Sequence, residues 1–115
     1  MDVAAQRAAY VQRLETALPR VVEALATIPG VQRVSVFGSY ARGRRDLFTD
    51  LDLLVVWETE RPALDRLQFL YSRLDVPVDV DIVCYTPAEL QASSDDPFIR
   101  RLLGEEVVLY EIQPR

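Results

Sequence analysis

"SVFGSYARGRRDLFTDLDLLVV", residues 35–56, sets an apolar strand, a Gly-Ser turn and an arginine cluster ahead of Asp50 and Asp52, which stand at alternate positions of a second apolar run. A buried carboxylate is costly unless it is paired, hydrogen-bonded or bound to a cation, so two on one strand need a reason. Strand side chains alternate between faces, so Asp50 and Asp52 share a face with Leu54 and Val56 while Leu51, Leu53 and Val55 point to the other. The same arithmetic pairs Asp79 with Asp81 in "VPVDVDIVCY", residues 76–85. If the two strands are neighbours with matched faces, three or four negative charges meet, and without a cation each raises the pKa of the next.

All-oxygen ligation of this kind suits Mg2+ or Mn2+, which take one or two carboxylates and complete their shells with water and phosphate oxygens. Two such ions about 4 Å apart grip the attacking and leaving oxygens of a phosphoryl or nucleotidyl transfer. The plainer alternative is that the aspartates sit at solvated strand ends. Gly38 and Ser39 weigh against it, because a strand that ends in Gly-Ser and turns at once into a helix offers backbone N–H groups and a hydroxyl to a phosphate, with no Cβ in the way at the glycine. Arg42, Arg44 and Arg45 are candidates to neutralise a triphosphate, with Arg42 nearest the turn, although three arginines beside Asp46 also fit a solvated face.

Outward from this stretch, Val3, Ala4, Ala8, Val11, Leu14 and Leu18 have the spacing of an amphipathic helix, and Pro19 is expected to open a second one carrying Val21, Val22, Leu25 and Ile28. Val31 to Phe37 and Leu51 to Trp57 are predicted strands, and residues 76–85 a third. Between them a helix opens at Pro62, with Leu64, Leu67, Leu70, Tyr71 and Leu74 on one face. "TPAE" at 86–89 has the form of a capping box, Asp96 before Pro97 starts a short helix that Gly104 is expected to close, and Val107 to Tyr110 forms a last strand. Helices interleaved with strands, without linkers or repeats, predict one α/β sheet domain spanning 1–115.

A net charge of −5 disfavours direct binding to nucleic acid, which is usually met by excess cationic side chains. No apolar run reaches the roughly 18 residues of a membrane span, and the start of the chain lacks the pattern of a signal peptide, so a cytoplasmic setting is expected. Histidine, lysine and asparagine are absent, which removes histidine triads, histidine metal sites and lysine Schiff bases. Catalysis must therefore use carboxylates, hydroxyls, arginines or a bound metal. Cys84, the single cysteine, reads as a small core residue.

Gly38-Ser39, ten intervening residues and Asp50-Leu51-Asp52 resemble the G-S-x10-D-x-D signature of the minimal nucleotidyltransferases, small relatives within the DNA polymerase beta superfamily. The likeness extends from "GSYARG" to "VDIV" at 80–83 and "GEEVVLYE" at 104–111, with Thr49 replacing the common serine before the first aspartate. It implies a nucleotidyltransferase fold with a mixed sheet flanked by helices, Gly38 and Ser39 on the nucleotide phosphates, and Asp50 and Asp52 holding two Mg2+ ions, with Mn2+ an alternative. Asp81, followed by Ile82 and Val83, fits the third carboxylate better than Asp79 does. The resemblance further implies AMP transfer from ATP to a tyrosine of a separately encoded helical HEPN-domain toxin, with this chain as antitoxin in a hetero-oligomer. A small-molecule acceptor held in a cleft shared with a helical subunit, and a non-catalytic module that neutralises a toxin by contact, are the alternatives. Residues 1–18 are then either a core-packing helix or a docking element.

Overall fold

The computed structural model describes residues 2–112; Met1 and residues 113–115 of the expected domain lie outside them. The chain opens with α1 (Val3–Ala26), started by Asp2, whose carboxylate accepts the Ala4 N–H at 2.9 Å. Here the structure corrects the sequence-based expectation, because α1 runs through Pro19 as one helix of 24 residues. Leu14, Ala17, Leu18, Val21 and Leu25 make a single buried stripe that crosses the proline, and Pro19 itself is exposed. On that wet side water can take the Glu15 carbonyl that a proline leaves without its N–H partner, so continuity of the apolar face prevails over the local preference for a break.

There follow β1 (Val31–Phe37), a four-residue helix α2 (Gly38–Ala41), β2 (Leu51–Trp57), α3 (Ala63–Ser72), β3 (Val80–Tyr85), α4 (Pro87–Ala92), α5 (Pro97–Glu105) and β4 (Val107–Glu111). The sheet order is β3-β2-β1-β4; β1 is antiparallel to both its neighbours, and β2 and β3 are parallel. Parallel neighbours cannot be joined by a hairpin, and α3 lies in the crossover.

β2 is the centre of the molecule. Leu51, Leu53, Val55 and Trp57 join Val34, Val36 and the α1 stripe on one face, together with Leu70 of α3. Leu54 and Val56 pack on the other face with Leu102 of α5, Leu90 of α4 and Phe37. A strand covered on both sides reads as a continuous apolar run, which is why the two aspartates at its start stand out.

The caps behave as their residue types predict. Thr86 and Glu89 form a reciprocal capping box with Pro87 in the first turn, and the Asp96 carboxylate accepts from the Phe98 and Ile99 N–H groups. Three further expectations are corrected. Strand pairing of β3 begins at Val80, later than residue 76. Leu64 is 70% exposed, because α3 packs on the core through Leu70 and Leu67 and so turns its first residues outward. Gly104 does not close α5, which continues to Glu105 with Gly104 in open space.

Candidate active site

The polar residues singled out from the sequence gather where β1 ends and β2 and β3 begin. Phe37 and Asp52 are Cα partners across β1 and β2, and Asp52 and Asp81 are Cα partners across β2 and β3. Equivalent positions on adjacent strands share a face, so Asp52 and Asp81 project the same way. Asp50 lies just ahead of β2, and the next residue ties it to Asp79, since the Leu51 N–H donates to the Asp79 carbonyl at 3.1 Å.

Gly38 sits against Asp52. Its φ of +73° suits glycine, and a Cβ there would collide with Asp52 Oδ2. The sequence reading reserved the space above Gly38 for a phosphate; the structure adds that the Asp52 carboxylate already claims the volume of a side chain. The Gly38 N–H donates to Glu105 Oε1 at 3.0 Å, and Arg42 Nη1 donates to both Glu105 oxygens at 3.2 and 3.1 Å. The site's N–H donor and nearest arginine thus already hold a carboxylate, supplied by the last residue of α5. Phe37, Gly38, Arg42, Phe98, Arg101 and Glu105 line a cavity of about 340 Å3 beside this contact.

The other two arginines have partners that argue for structure. Arg44 pairs with Asp46 at 2.7 Å. Arg45 pairs with Glu15 at 3.0 Å, donates to the Tyr40 carbonyl at 2.8 Å and stacks on the Tyr40 ring with 3.5 Å to its centroid. Asp46 accepts from the Phe48 N–H and from Thr49 Oγ1, which shapes the approach to Asp50. Thr49, the departure from the family serine, is wholly buried and keeps the hydroxyl that this turn uses.

Burial, and after it the crowding of negative charge, disfavours ionisation of Asp50 and Asp52. Burial and then the charges of Asp79 and Asp81 raise the pKa of Asp50, with Arg44 opposing them. Asp52 is raised by burial first, then by Asp81 and Asp50, with Arg42 opposing. Among the described residues no three acidic side chains close into a cation cage by themselves. The donor set, oxygen alone and self-repelling, fits a hard divalent ion that takes its remaining ligands from phosphate and water.

Sequence reasoning passed over two residues at this site. Glu105 is 67 residues from Gly38, and Tyr10, whose hydroxyl donates to the Thr49 carbonyl at 2.9 Å, is 39 residues from its acceptor. Neither lies in a spacing pattern that marks it; only the fold brings them here.

Comparison with known proteins agrees with this geometry. Residues 18–110 match the nucleotidyltransferase domain family. A Methanocaldococcus jannaschii protein named as a candidate protein adenylyltransferase is 34% identical over 80 residues, which cover 68% of this chain and 78% of that one. Among solved structures, a candidate nucleotidyltransferase from Sulfolobus solfataricus superposes with a TM-score of 0.56 at 19% identity, covering 95% of this chain and 86% of its own. A chain of a toxin–antitoxin complex crystallised with AMP-PNP gives 0.55 at 24% identity, covering 86% and 74%. At such identities the structural likeness speaks for the fold. The chain belongs to the nucleotidyltransferase domain family and is a nucleotidyltransferase.

Proposed function

We propose that this enzyme transfers AMP from ATP to a tyrosine hydroxyl on a separately encoded helical HEPN-domain protein, and that it thereby acts as the antitoxin of a hetero-oligomeric toxin–antitoxin pair in the cytoplasm. The observation that carries the catalytic part is the convergence of Gly38, Asp52 and Asp81 on three neighbouring strand ends. The protein acceptor is supported by the adenylyltransferase name of the archaeal relative, and the toxin partner by the toxin–antitoxin fold relative bound to AMP-PNP.

In this reading Asp50 and Asp52 hold Mg2+, two ions in all or Mn2+ in their stead, and Asp81 completes the ligand set of one. A divalent ion there supplies charge neutralisation on the phosphates and acidifies a bound hydroxyl. The chain's own groups do the rest. Gly38, Ser39 and Arg42 bind the phosphates, for which ATP must compete with Glu105 at the Gly38 N–H and at Arg42. The acceptor oxygen bonds to the α-phosphorus as the bond to the bridging oxygen breaks; pyrophosphate leaves, and Asp81 receives the acceptor proton. Positioning and fixed charge supply most of the acceleration.

The test is transfer of label from ATP marked on its α-phosphate, with Mg2+, to the purified HEPN partner. A labelled partner of increased mass that is absent with an Asp50→Asn, Asp52→Asn variant is the expected result. Label on a small soluble product instead would overturn the protein acceptor, and toxin neutralisation unchanged by the double variant would overturn the catalytic antitoxin.

A further inference from the structure

Asp50 is held through the backbone on both of its sides, and one of the two holds comes from the part of α1 that precedes the family match. On its C-terminal side the Leu51 N–H is bonded to the Asp79 carbonyl at 3.1 Å. On its N-terminal side the Thr49 carbonyl accepts the Tyr10 hydroxyl at 2.9 Å. A peptide unit is planar, so fixing the Thr49 carbonyl oxygen fixes the plane that contains the Asp50 nitrogen and leads to its Cα. With both flanking peptides pinned, little beyond side-chain rotation is left to Asp50.

Tyr10 does not act alone. Two other residues of the same part of α1 hold the segment that leads to Asp50: Glu15 pairs with Arg45 at 3.0 Å, and Arg7 Nε approaches the Arg45 carbonyl at 3.4 Å. Arg45 in turn grips Tyr40. These α1 residues precede residue 18, where the family match begins.

We infer that Tyr10 is a positioning residue for the nucleotidyl-transfer site: through the Thr49 peptide it aims the Asp50 carboxylate at the divalent cation, and the first half of α1 is the strap that holds the 45–50 segment in place. This rests on the proposed function only in assigning a cation to Asp50. The helix half expected from sequence to be a core or docking element thereby serves the site.

The variant Tyr10→Phe removes one oxygen and keeps the ring. Trp57→Phe is the control, since it deletes a similar bond, from Nε1 to the Pro29 carbonyl at 3.0 Å, at the other end of β2. Two readouts are taken on the full chain well below both melting temperatures: Mn2+ affinity by electron paramagnetic resonance, and amide hydrogen exchange over residues 45–51. Tyr10→Phe is expected to weaken Mn2+ binding roughly 3- to 10-fold, the scale of one lost hydrogen bond, and to speed exchange in that segment. Trp57→Phe should do neither. Unchanged Mn2+ affinity in Tyr10→Phe overturns the inference, even if exchange is faster, because the tyrosine would then be structural only. If the native chain binds no Mn2+, the metal reading of the proposed function fails and the role given to Tyr10 fails with it. Native Mn2+ binding without any transfer leaves the inference standing and overturns the reaction alone.

Discussion

Gly38 is constrained twice, by a backbone angle that a side chain resists and by the Asp52 oxygen lying where a Cβ would be. Gly38→Ala should therefore cost stability, by about 1–3 kcal/mol in chemical denaturation, and should lower activity as Asp52 shifts. Removing the Asp52 carboxylate relieves only the collision, so the loss should be smaller in an Asp52→Ala background, a coupling that a double-mutant cycle measures. Glu105 is constrained differently: it is an anion on the Gly38 N–H and Arg42, the donors assigned to the phosphates in the proposed reaction. Glu105→Gln, which keeps the shape and drops the charge, should tighten ATP binding roughly 3-fold in calorimetry, the scale of one exposed ion pair removed. Asp50, Asp52 and Gly38 were legible from sequence because strand alternation and the Gly-Ser turn are local rules. Glu105 and Tyr10 were not, since each acts on a backbone group dozens of residues away and no local rule marks it.

Among the elements, α1 shows most clearly where a local rule yields to packing. A proline is a sound reason to expect a new helix, yet the decisive fact is that Glu15 and Pro19 lie on the exposed side while the buried stripe runs on. Pro19→Ala restores an N–H to that turn and should raise stability by about 1–3 kcal/mol, read as a higher melting temperature with unchanged activity. Leu64 and Gly104 were misjudged for a related reason: spacing defines a helical face but does not say which turn reaches the sheet, and glycine ends a helix only where the chain needs a left-handed turn. The caps at Thr86 and Asp96 were legible because a cap is a contact within three residues. Arg66, buried under α4 and bonded to both Glu89 oxygens at 2.7 and 3.0 Å, ties that capping box to α3. The pairing, through the Arg66 hydrogen bond above all, holds the Glu89 pKa below its ordinary 4.5. Its contribution is thus present above that value and is lost as pH falls through the lower, folded one.

For the molecule as a whole, the proposed function makes the acidic end a place where stability is given up for chemistry. The raised pKa values of Asp50 and Asp52 mean that these two groups take up protons in the folded chain before the unfolded one, so in the presence of a chelator their contribution should raise stability as pH falls from neutral to about 4.5, where the loss at Glu89 begins to oppose it. Thermal melts should show that rise, and Asp50→Asn, Asp52→Asn should flatten it while raising the neutral-pH melting temperature by roughly 4 °C, about 1 kcal/mol. All the acidic positions named for the site lie at one end of the sheet; the opposite end carries Trp57, Tyr85 and the exposed residues 60–62. Seven residues of β2 separate the two ends, a span of roughly 20 Å. Cys84, its thiol pushed up to about 11 chiefly by burial, stays protonated near neutrality and should alkylate slowly. A cysteine introduced as Glu60→Cys would then be the one fast-reacting thiol, and since the chain has no lysine it meets little competition from amines. Anchored to a surface through that position, the protein would stand with its carboxylates facing solution, open to ATP and to a partner as large as a folded domain.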